Sequence, residues 1–174
     1  MNVCISAMGF LGDMKNFRYL WDGCERSDWF LWLLENAKYD EQKLLRIFAC
    51  KCVRKTPYGD GVAWDYLKDI RSKAAIIEVE NYFDNKANMQ DVKDASDFAW
   101  TVPARKDGLE LIPPMVADLS IGSMMIAQTQ SWRLAVISGK IKKALKVQAD
   151  IIRQVIPYKD MERCAEYLAK QLEK

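Results

Sequence analysis

Apolar side chains recur at intervals of three and four residues along most of the chain, which is the period of an amphipathic α-helix. No stretch shows the apolar–polar alternation of a β-strand over a useful length. The pattern therefore predicts an all-α fold, a compact bundle of about seven or eight helices. We expect these helices to begin near Asp13, Ser27, Asp40, Asp69, Asn88, Met115, Ser131 and Asp160, with a short helical turn between Val62 and Leu67.

Helix boundaries are predicted from residues that favour helix ends. Short polar side chains accept hydrogen bonds from the first turn of a helix. On this basis we predict the N-caps Asp13, Ser27, Asp40, Asp69 and Asn88. A proline and two glycines between Thr56 and Gly61 end the third helix. The longest helix is predicted from Ser131 to Ile156, because Pro157 cannot continue it.

Residues 101–114 interrupt the helical pattern. They contain three prolines and one glycine, which exclude a continuous helix, so we expect an irregular surface excursion or a lid. The pattern returns to helix from Met115 to Gln130, where small residues alternate with methionine and isoleucine. We interpret the methionines as core residues, and the alternative is that they form an adaptable binding surface.

The chain has 174 residues, half of them apolar or aromatic, which is enough for one sizeable core. We expect a single helical domain over residues 1–174. No apolar run approaches the roughly 20 residues of a membrane span, and the N-terminus lacks the pattern of a secretory leader. The five cysteines form no even framework, so we expect buried free thiols and a cytoplasmic protein.

Histidine is absent from the chain. This removes the commonest general base, the commonest neutral metal ligand and every Ser-His-Asp or Cys-His arrangement. Cys50 and Cys52 point about 200° apart on a helix, so they form neither a zinc knuckle nor a redox pair. There is also no Gly-rich phosphate loop. We therefore expect no catalytic residue, no bound metal and no cofactor.

Four charged residues lie among apolar neighbours, namely Asp28, Arg54, Asp69 and Arg71. An unpaired charge in such a place is costly, so the favoured interpretation is a structural network of ion pairs. The alternative is a polar pocket in which Arg54 and Arg71 bind the phosphate or carboxylate of a ligand. In that pocket Trp29 and Trp64 would supply the stacking surface.

Charge is unevenly distributed along the chain. Residues 131–159 carry about +6, and residues 78–97 carry about −4. The basic stretch places four lysines on the far face of its predicted helix, namely Lys140, Lys142, Lys143 and Lys146. Such a face can bind nucleic acid or an acidic protein, although most charged faces are simply solvated.

Several short strings occur here in the same order as in a family known from bacterial and phage genomes. After Asp13 they are Trp21–Leu33 (WDGCERSDWFLWL), Phe48–Arg54 (FACKCVR), Trp64–Ala74 (WDYLKDIRSKA) and Glu80–Tyr82 (ENY). Together they resemble the alanine-rich, all-helical proteins of the fifth predicted immunity class of polymorphic toxin systems, and their phage relatives. The resemblance covers roughly residues 10–100 and, more weakly, residues 151–168.

The resemblance implies an interaction protein that neutralises a toxin or, in a phage, a host defence effector. It supplies no catalytic residue, because none is established in the family pattern. The long alanine tract of the family is replaced here by the prolines and the methionine-rich segment. A partner surface located in that tract would therefore differ in this protein.

We thus expect a non-catalytic protein that occupies the surface of a toxin or a defence effector. The predicted partner surface consists of Met115, Met124, Met125, Lys140, Lys142, Lys143 and Lys146. The first alternative is a protein that sequesters a small ligand such as a nucleotide, using Arg54, Arg71 and the two tryptophans. The second alternative is a nucleic-acid-binding protein that uses the basic helix within residues 131–159.

Overall fold

The computed structural model describes residues 17–103 and 108–172. Within these ranges the chain forms ten α-helices, a 3-10 turn at Leu109–Leu111 and a small β-hairpin, which confirms the predicted all-α class. The hairpin consists of β1 (Pro57–Tyr58) and β2 (Gly61–Val62). The helices are α1 (Phe17–Gly23), α2 (Ser27–Asn36), α3 (Gln42–Lys55), α4 (Ala63–Tyr66), α5 (Ile70–Phe83), α6 (Met89–Trp100), α7 (Ile112–Ala117), α8 (Ser123–Ile137), α9 (Ile141–Val155) and α10 (Tyr158–Leu172).

Helix α3 lies at the centre of the bundle and contacts α4, α5, α7, α8 and α9. It can occupy this position because apolar side chains cover most of its circumference. Its predicted apolar face is buried, as expected, at Leu45, Phe48, Ala49 and Cys52. Buried apolar side chains from all ten helices join in one contiguous core around it.

Two of the predicted N-caps are confirmed. The Asp69 carboxylate accepts a hydrogen bond from the backbone N–H of Arg71 at the start of α5. The Asn88 side chain accepts hydrogen bonds from the backbone N–H groups of Gln90 and Asp91 at the start of α6. Both caps depend only on residues two or three positions further along the chain, so a local pattern is sufficient to predict them.

The N-cap predictions for Ser27 and Asp40 are wrong. Ser27 is the first residue of α2, and its buried hydroxyl donates to Oε1 of Gln148 on α9 (3.1 Å) instead of capping its own helix. Helix α3 begins after Glu41, one residue later than predicted. The predicted cap Asp13 lies outside the described residues.

The surface excursion predicted for residues 101–114 is wrong over its second half, because residues 108–114 are almost entirely buried. Pro113 and Pro114 lie in the first turn of α7, where a backbone N–H has no helical acceptor and its absence costs nothing. Gly108 begins the segment in the left-handed conformation, with φ +71°. The prolines therefore mark the start of a core helix.

The two long helices predicted from Met115 to Gln130 and from Ser131 to Ile156 are wrong in their boundaries. The chain turns between α7 and α8 and again between α8 and α9. At the second turn Gly139 has a positive φ of 66°, a conformation that ends a helix and favours glycine.

None of the helices in the described ranges is long and apolar enough to cross a membrane.

The cysteine side chains are free thiols wherever the structure describes them. Cys50, Cys52 and Cys164 are buried and Cys24 is partly buried, in agreement with the predicted apolar role. Burial raises the pKa of all four thiols above the ordinary value, to about 11 for Cys164. Cys4 lies outside the described residues.

Candidate functional site

A cleft of about 620 Å³ opens beside the N-terminal half of α3. Arg46 of α3, Ser96 of α6 and Ser123 at the start of α8 are its buried polar residues, and the contacting pair Arg46 and Ser123 forms its floor. The ends of α5 and α7 and one face of α6 form its walls. A volume of this size is typical of small-molecule sites, which span about 300–1,000 Å³.

Arg46 is 1% exposed, and its guanidinium is held by neutral acceptors. Nε donates to Ser123 Oγ (3.1 Å), and Nη1 donates to the carbonyl oxygen of Val116 (2.7 Å). Nη2 donates to the carbonyl oxygens of Asp118 (3.0 Å) and Ile121. In the described part of the chain no carboxylate oxygen lies within 4.0 Å of this guanidinium. Burial lowers the pKa of Arg46 below its ordinary value.

The end of α7 explains why an arginine is buried at this point. The last carbonyl oxygens of a helix accept no hydrogen bond from within the helix, and they carry the negative end of its dipole. Arg46 supplies hydrogen bonds to Val116 and to Asp118, where α7 ends. In the following turn, Oδ1 of Asp118 accepts from the N–H (3.0 Å) and the hydroxyl (2.6 Å) of Ser120.

The remaining walls of the cleft combine aromatic and charged side chains. Tyr82 and Phe83, in the last turn of α5, pack edge to face with ring centroids 5.1 Å apart. The Lys43 ammonium donates to the carbonyl oxygen of Phe83 (2.8 Å) and so attaches the end of α5 to α3. Lys93 and Asp97 lie one turn apart on α6 at the exposed rim. The cleft thus has a cationic floor, an aromatic wall and a rim of mixed charge.

A second candidate site is an exposed stripe on α8, which we call the apolar stripe and which consists of Met125, Trp132 and Val136. Their spacing places them on one face of the helix. Trp132 is 50% exposed and lines two shallow grooves of about 310 and 540 Å³. The smaller groove extends towards α2 and includes Trp32, whereas the larger one follows α8 to Ile137.

The predicted ligand-binding residue Arg54 is occupied by a local ion pair. It donates two hydrogen bonds to the carboxylate of Glu80 on α5, at 2.7 and 2.5 Å. Its guanidinium lies over the ring of Trp64, 4.0 Å from the centroid, and the Lys73 ammonium lies 5.3 Å from the same centroid. The hydrogen bonds to Glu80 raise the pKa of Arg54. The Glu80 carboxylate therefore already occupies the two Arg54 donors that would bind the acidic group of a ligand.

The other predicted polar residues form two further local pairs. Arg71 donates to the carboxylate of Asp69 at 2.9 and 2.6 Å, beside the cap of α5. Arg26 donates to the carboxylate of Asp28 at 2.8 and 2.5 Å, and its guanidinium lies 5.2 Å from the ring centroid of Trp29. The polar residues therefore form three separate pairs rather than one network, and none of the described clefts is lined by both predicted arginines.

The predicted partner surface is only partly available. Met125 and the four lysines Lys140, Lys142, Lys143 and Lys146 are exposed, whereas Met115 and Met124 are partly buried. The Lys140 ammonium donates to the carbonyl oxygen of Gly59, and the Lys146 ammonium pairs with the carboxylate of Glu25. Within the described ranges, Lys142 and Lys143 have no ion pair. Among the four lysines, Lys146 is therefore the one whose charge is paired with a carboxylate in the described part of the chain.

Arg46, Ser123 and Trp132 are missing from the predicted site residues. Arg46 does carry a signal, because it is the one charged residue in the apolar run Leu44–Cys50 (LLRIFAC) of a helix. Its partners are mostly backbone carbonyls, which every residue has, so no side-chain pattern could identify them. The exposure of Trp132 depends on which face of α8 packs against the rest of the bundle, and the sequence does not show this.

In the described ranges no group of three or more His, Cys, Asp or Glu residues could hold a metal ion.

Comparison with known proteins leaves the family open, because no family model, no curated protein and no solved structure matches the chain. The resemblance to the immunity class, which rests on short strings, therefore stays a prediction.

Proposed function

We propose that this protein is a non-catalytic binding protein that neutralises a protein partner by covering part of its surface with the apolar stripe of α8. The observation that carries the proposal is Trp132, a large side chain that is half exposed although the opposite face of its helix is buried. Tryptophan is enriched at the energetic centres of interfaces, because its ring buries a large area with little loss of rotamer freedom.

The surroundings of Trp132 have the layout of a protein interface, with an apolar centre and a polar rim. The apolar stripe and the groove that contains Trp32 provide the centre. At the rim the Gln128 side chain donates to the carboxylate of Glu35 (2.7 Å), which leaves further acceptor positions on that carboxylate for a partner. A partner could thus bury the ring and exchange rim water for hydrogen bonds.

The helix that carries the stripe is held rigidly from behind. Its inner face buries Ile126, Ala127, Gln130 and Leu134, and the helix packs against the central helix α3. A surface on such a helix loses little conformational entropy when it binds. This preorganisation favours α8 over the scattered exposed apolar residues elsewhere in the described ranges.

The class of partner is suggested by charge and by the family resemblance. Lys142 of α9 lies about one helical turn before Leu145, which lines the smaller groove, and its charge favours an acidic partner surface. The resemblance to immunity proteins and their phage relatives supports a toxin or a host defence effector. Either would be neutralised by the same physical means, because an occupied surface cannot contact its target.

Photo-crosslinking in the host tests the proposal. A photoreactive phenylalanine analogue at position 132 should yield one dominant crosslinked protein, identified by mass spectrometry. The matched control is the same analogue at Phe98, which is 59% exposed and lies on α6. We expect no such product from the control position.

The captured protein is then produced in cells with and without the chain. We expect the wild type and Phe98→Ala to relieve its toxicity or activity, and Trp132→Ala combined with Val136→Ser to fail with an unchanged thermal melt. A crosslink only to a second copy of the chain would contradict the proposal. So would a partner that the chain binds without any effect on activity.

A further inference from the structure

The floor of the Arg46 cleft offers hydrogen-bond donors that the protein itself does not use. A guanidinium has five N–H donors, and the hydrogen bonds of Arg46 account for four of them. The remaining N–H belongs to Nη1. The Ser123 hydroxyl accepts from Arg46 Nε and keeps its own proton for donation. A ligand group that fits this floor is therefore an acceptor.

The electrostatics of the floor favour a negative ligand. Ser123 begins the 15-residue helix α8, whose first N–H groups have no acceptor within the helix and carry its positive dipole end. The Arg46 guanidinium contacts this same residue. The Asp118 carboxylate also lines the cleft, is only partly buried, and accepts two hydrogen bonds from Ser120 at Oδ1. The carbonyls at the end of α7 and the Asp118 carboxylate offset part of this positive charge, but Arg46 is the one charged residue of the lining that is fully buried, where screening by water is weakest.

The charged residues at the rim contribute less to the choice between a negative and a positive ligand. Lys93 and Asp97 carry opposite charges, and both are exposed to solvent, where salt screens their fields. Lys93 has no ion pair within the described ranges, so its ammonium can turn towards a ligand. The buried cation at the floor therefore outweighs the balanced charges at the rim.

The wall above the floor suits a flat apolar group. Tyr82 and Phe83 present two aromatic rings, and Met89 adds a flexible apolar side chain beside them. The volume of about 620 Å³ holds a ring system together with an acidic group.

We propose that this cleft binds a small organic anion, with its acidic group against the Arg46 and Ser123 donors and its aromatic body against Tyr82 and Phe83. The acidic group is a carboxylate or a phosphate, which both accept from a guanidinium and a hydroxyl. The site is separate from the apolar stripe, so the ligand and the protein partner are distinct binding activities of one chain.

Isothermal titration of the full chain with four probes tests the proposal. Adenosine 5′-monophosphate combines a ring with a phosphate, indole-3-acetate combines a ring with a carboxylate, and adenosine and inorganic phosphate each supply one part. We expect at least one of the two ring-bearing anions to bind at least about tenfold more tightly than adenosine and phosphate. Equal binding of all four, or no saturable binding at millimolar concentration, would overturn the proposal.

Single substitutions around the cleft then test the sign of the ligand. Lys93→Gln should weaken binding of the anion about threefold and Asp97→Asn should tighten it about twofold, because each changes one exposed charge. Ser123→Ala should weaken it about fivefold through loss of a floor donor, with the fold checked by circular dichroism. Lys142→Gln and Trp132→Ala, both outside the cleft, should leave the affinity unchanged. Opposite signs for Lys93→Gln and Asp97→Asn would indicate a cationic ligand and refute the proposal.

Discussion

Two arginines of α3 show how different the surroundings of one residue type can be within a single helix. Arg46, in the N-terminal half, is 1% exposed and donates to a serine hydroxyl and to carbonyl oxygens at the end of α7 and in the turn after it. Arg54, in the C-terminal half, keeps 33% of its side chain exposed and binds the carboxylate of Glu80. The first arginine joins three elements, and the second joins two side chains.

The two arrangements differ in what the loss of the arginine would leave behind. Without Arg46, one buried and two partly buried carbonyls would lack their donor, and each such group costs free energy where water does not replace the donor. Without Arg54, a partly exposed carboxylate would return to water, which solvates it well. A buried cation on carbonyls is therefore expected to be required for folding, whereas a half-exposed ion pair is not.

Arg46→Met should have the largest effect on stability. We expect the free energy of unfolding to fall by about 3 kcal/mol or more, because the carbonyl oxygens of Val116, Asp118 and Ile121 lose their common donor. Urea denaturation followed by circular dichroism measures this loss. Arg46→Lys keeps the charge but not the fork and should lose less. A loss below about 1 kcal/mol in the methionine variant would show that water satisfies these carbonyls.

Arg153→Met should have the second largest effect on stability. Like Arg46, Arg153 donates to carbonyl oxygens at the end of another helix, here α1, but it is less buried. Its side chain is 18% exposed and donates to the carbonyl oxygens of Trp21 (2.7 Å) and Cys24. We expect a loss of about 1–2 kcal/mol in the same urea experiment. Asp150→Asn, which removes only the acid paired with Arg153 at the surface, serves as the control and should be nearly neutral.

Arg54→Met should cost about 1 kcal/mol or less, because both partners of the pair with Glu80 are about one third exposed. A double-mutant cycle with Glu80→Gln isolates the pair from the contact with Trp64. We expect a coupling energy below about 1 kcal/mol that decreases further at high salt. A coupling as large as the effect of Arg46→Met would remove the contrast between the two arginines.

Asp69→Asn should lower the stability near neutral pH by an amount that decreases as the pH falls. Hydrogen bonds from the Arg71 side chain and backbone lower the pKa of Asp69 to about 2, below the value of about 3.9 in an unfolded chain. The charged carboxylate therefore stabilises the fold above about pH 4, and this contribution is lost as the pH falls through about 2.

Thermal melts at about pH 6 and about pH 2.5 test this linkage. Asparagine can still cap α5 but does not titrate, so the difference in Tm between the wild type and the variant should shrink at the lower pH. The same difference at both values would show that the Asp69–Arg71 pair does not couple to folding.

The predictions of local structure that are confirmed depend on neighbouring residues. The helical period identified the buried face of α3, and the caps Asp69 and Asn88 need only N–H groups two or three positions away. Two of the failures have a long-range cause. Ser27 looks like a cap in the sequence, yet its hydroxyl meets Gln148 from a distant helix. Prolines 113 and 114 look like a loop, yet they begin a buried helix.

The candidate sites were predicted poorly for a related reason. Arginines that share a pattern with aromatic residues are the site residues predicted from sequence. Arg54 does stack on Trp64, but the Glu80 carboxylate occupies its guanidinium. Arg46 was passed over because its partners are backbone atoms of a turn that lies far away in the chain. The apolar stripe became visible only once the turns at both ends of α8 were known.

The sequence by itself determined the all-α class, the approximate helices and the absence of histidine chemistry, because helical period and composition are local properties. Only the tertiary structure decided which charges are buried, what they contact and which apolar face stays exposed. The physical reason is that the cost of burying a charge depends on the groups that surround it in space. At Arg46 those groups are the last carbonyls of another helix, and folding alone brings them there.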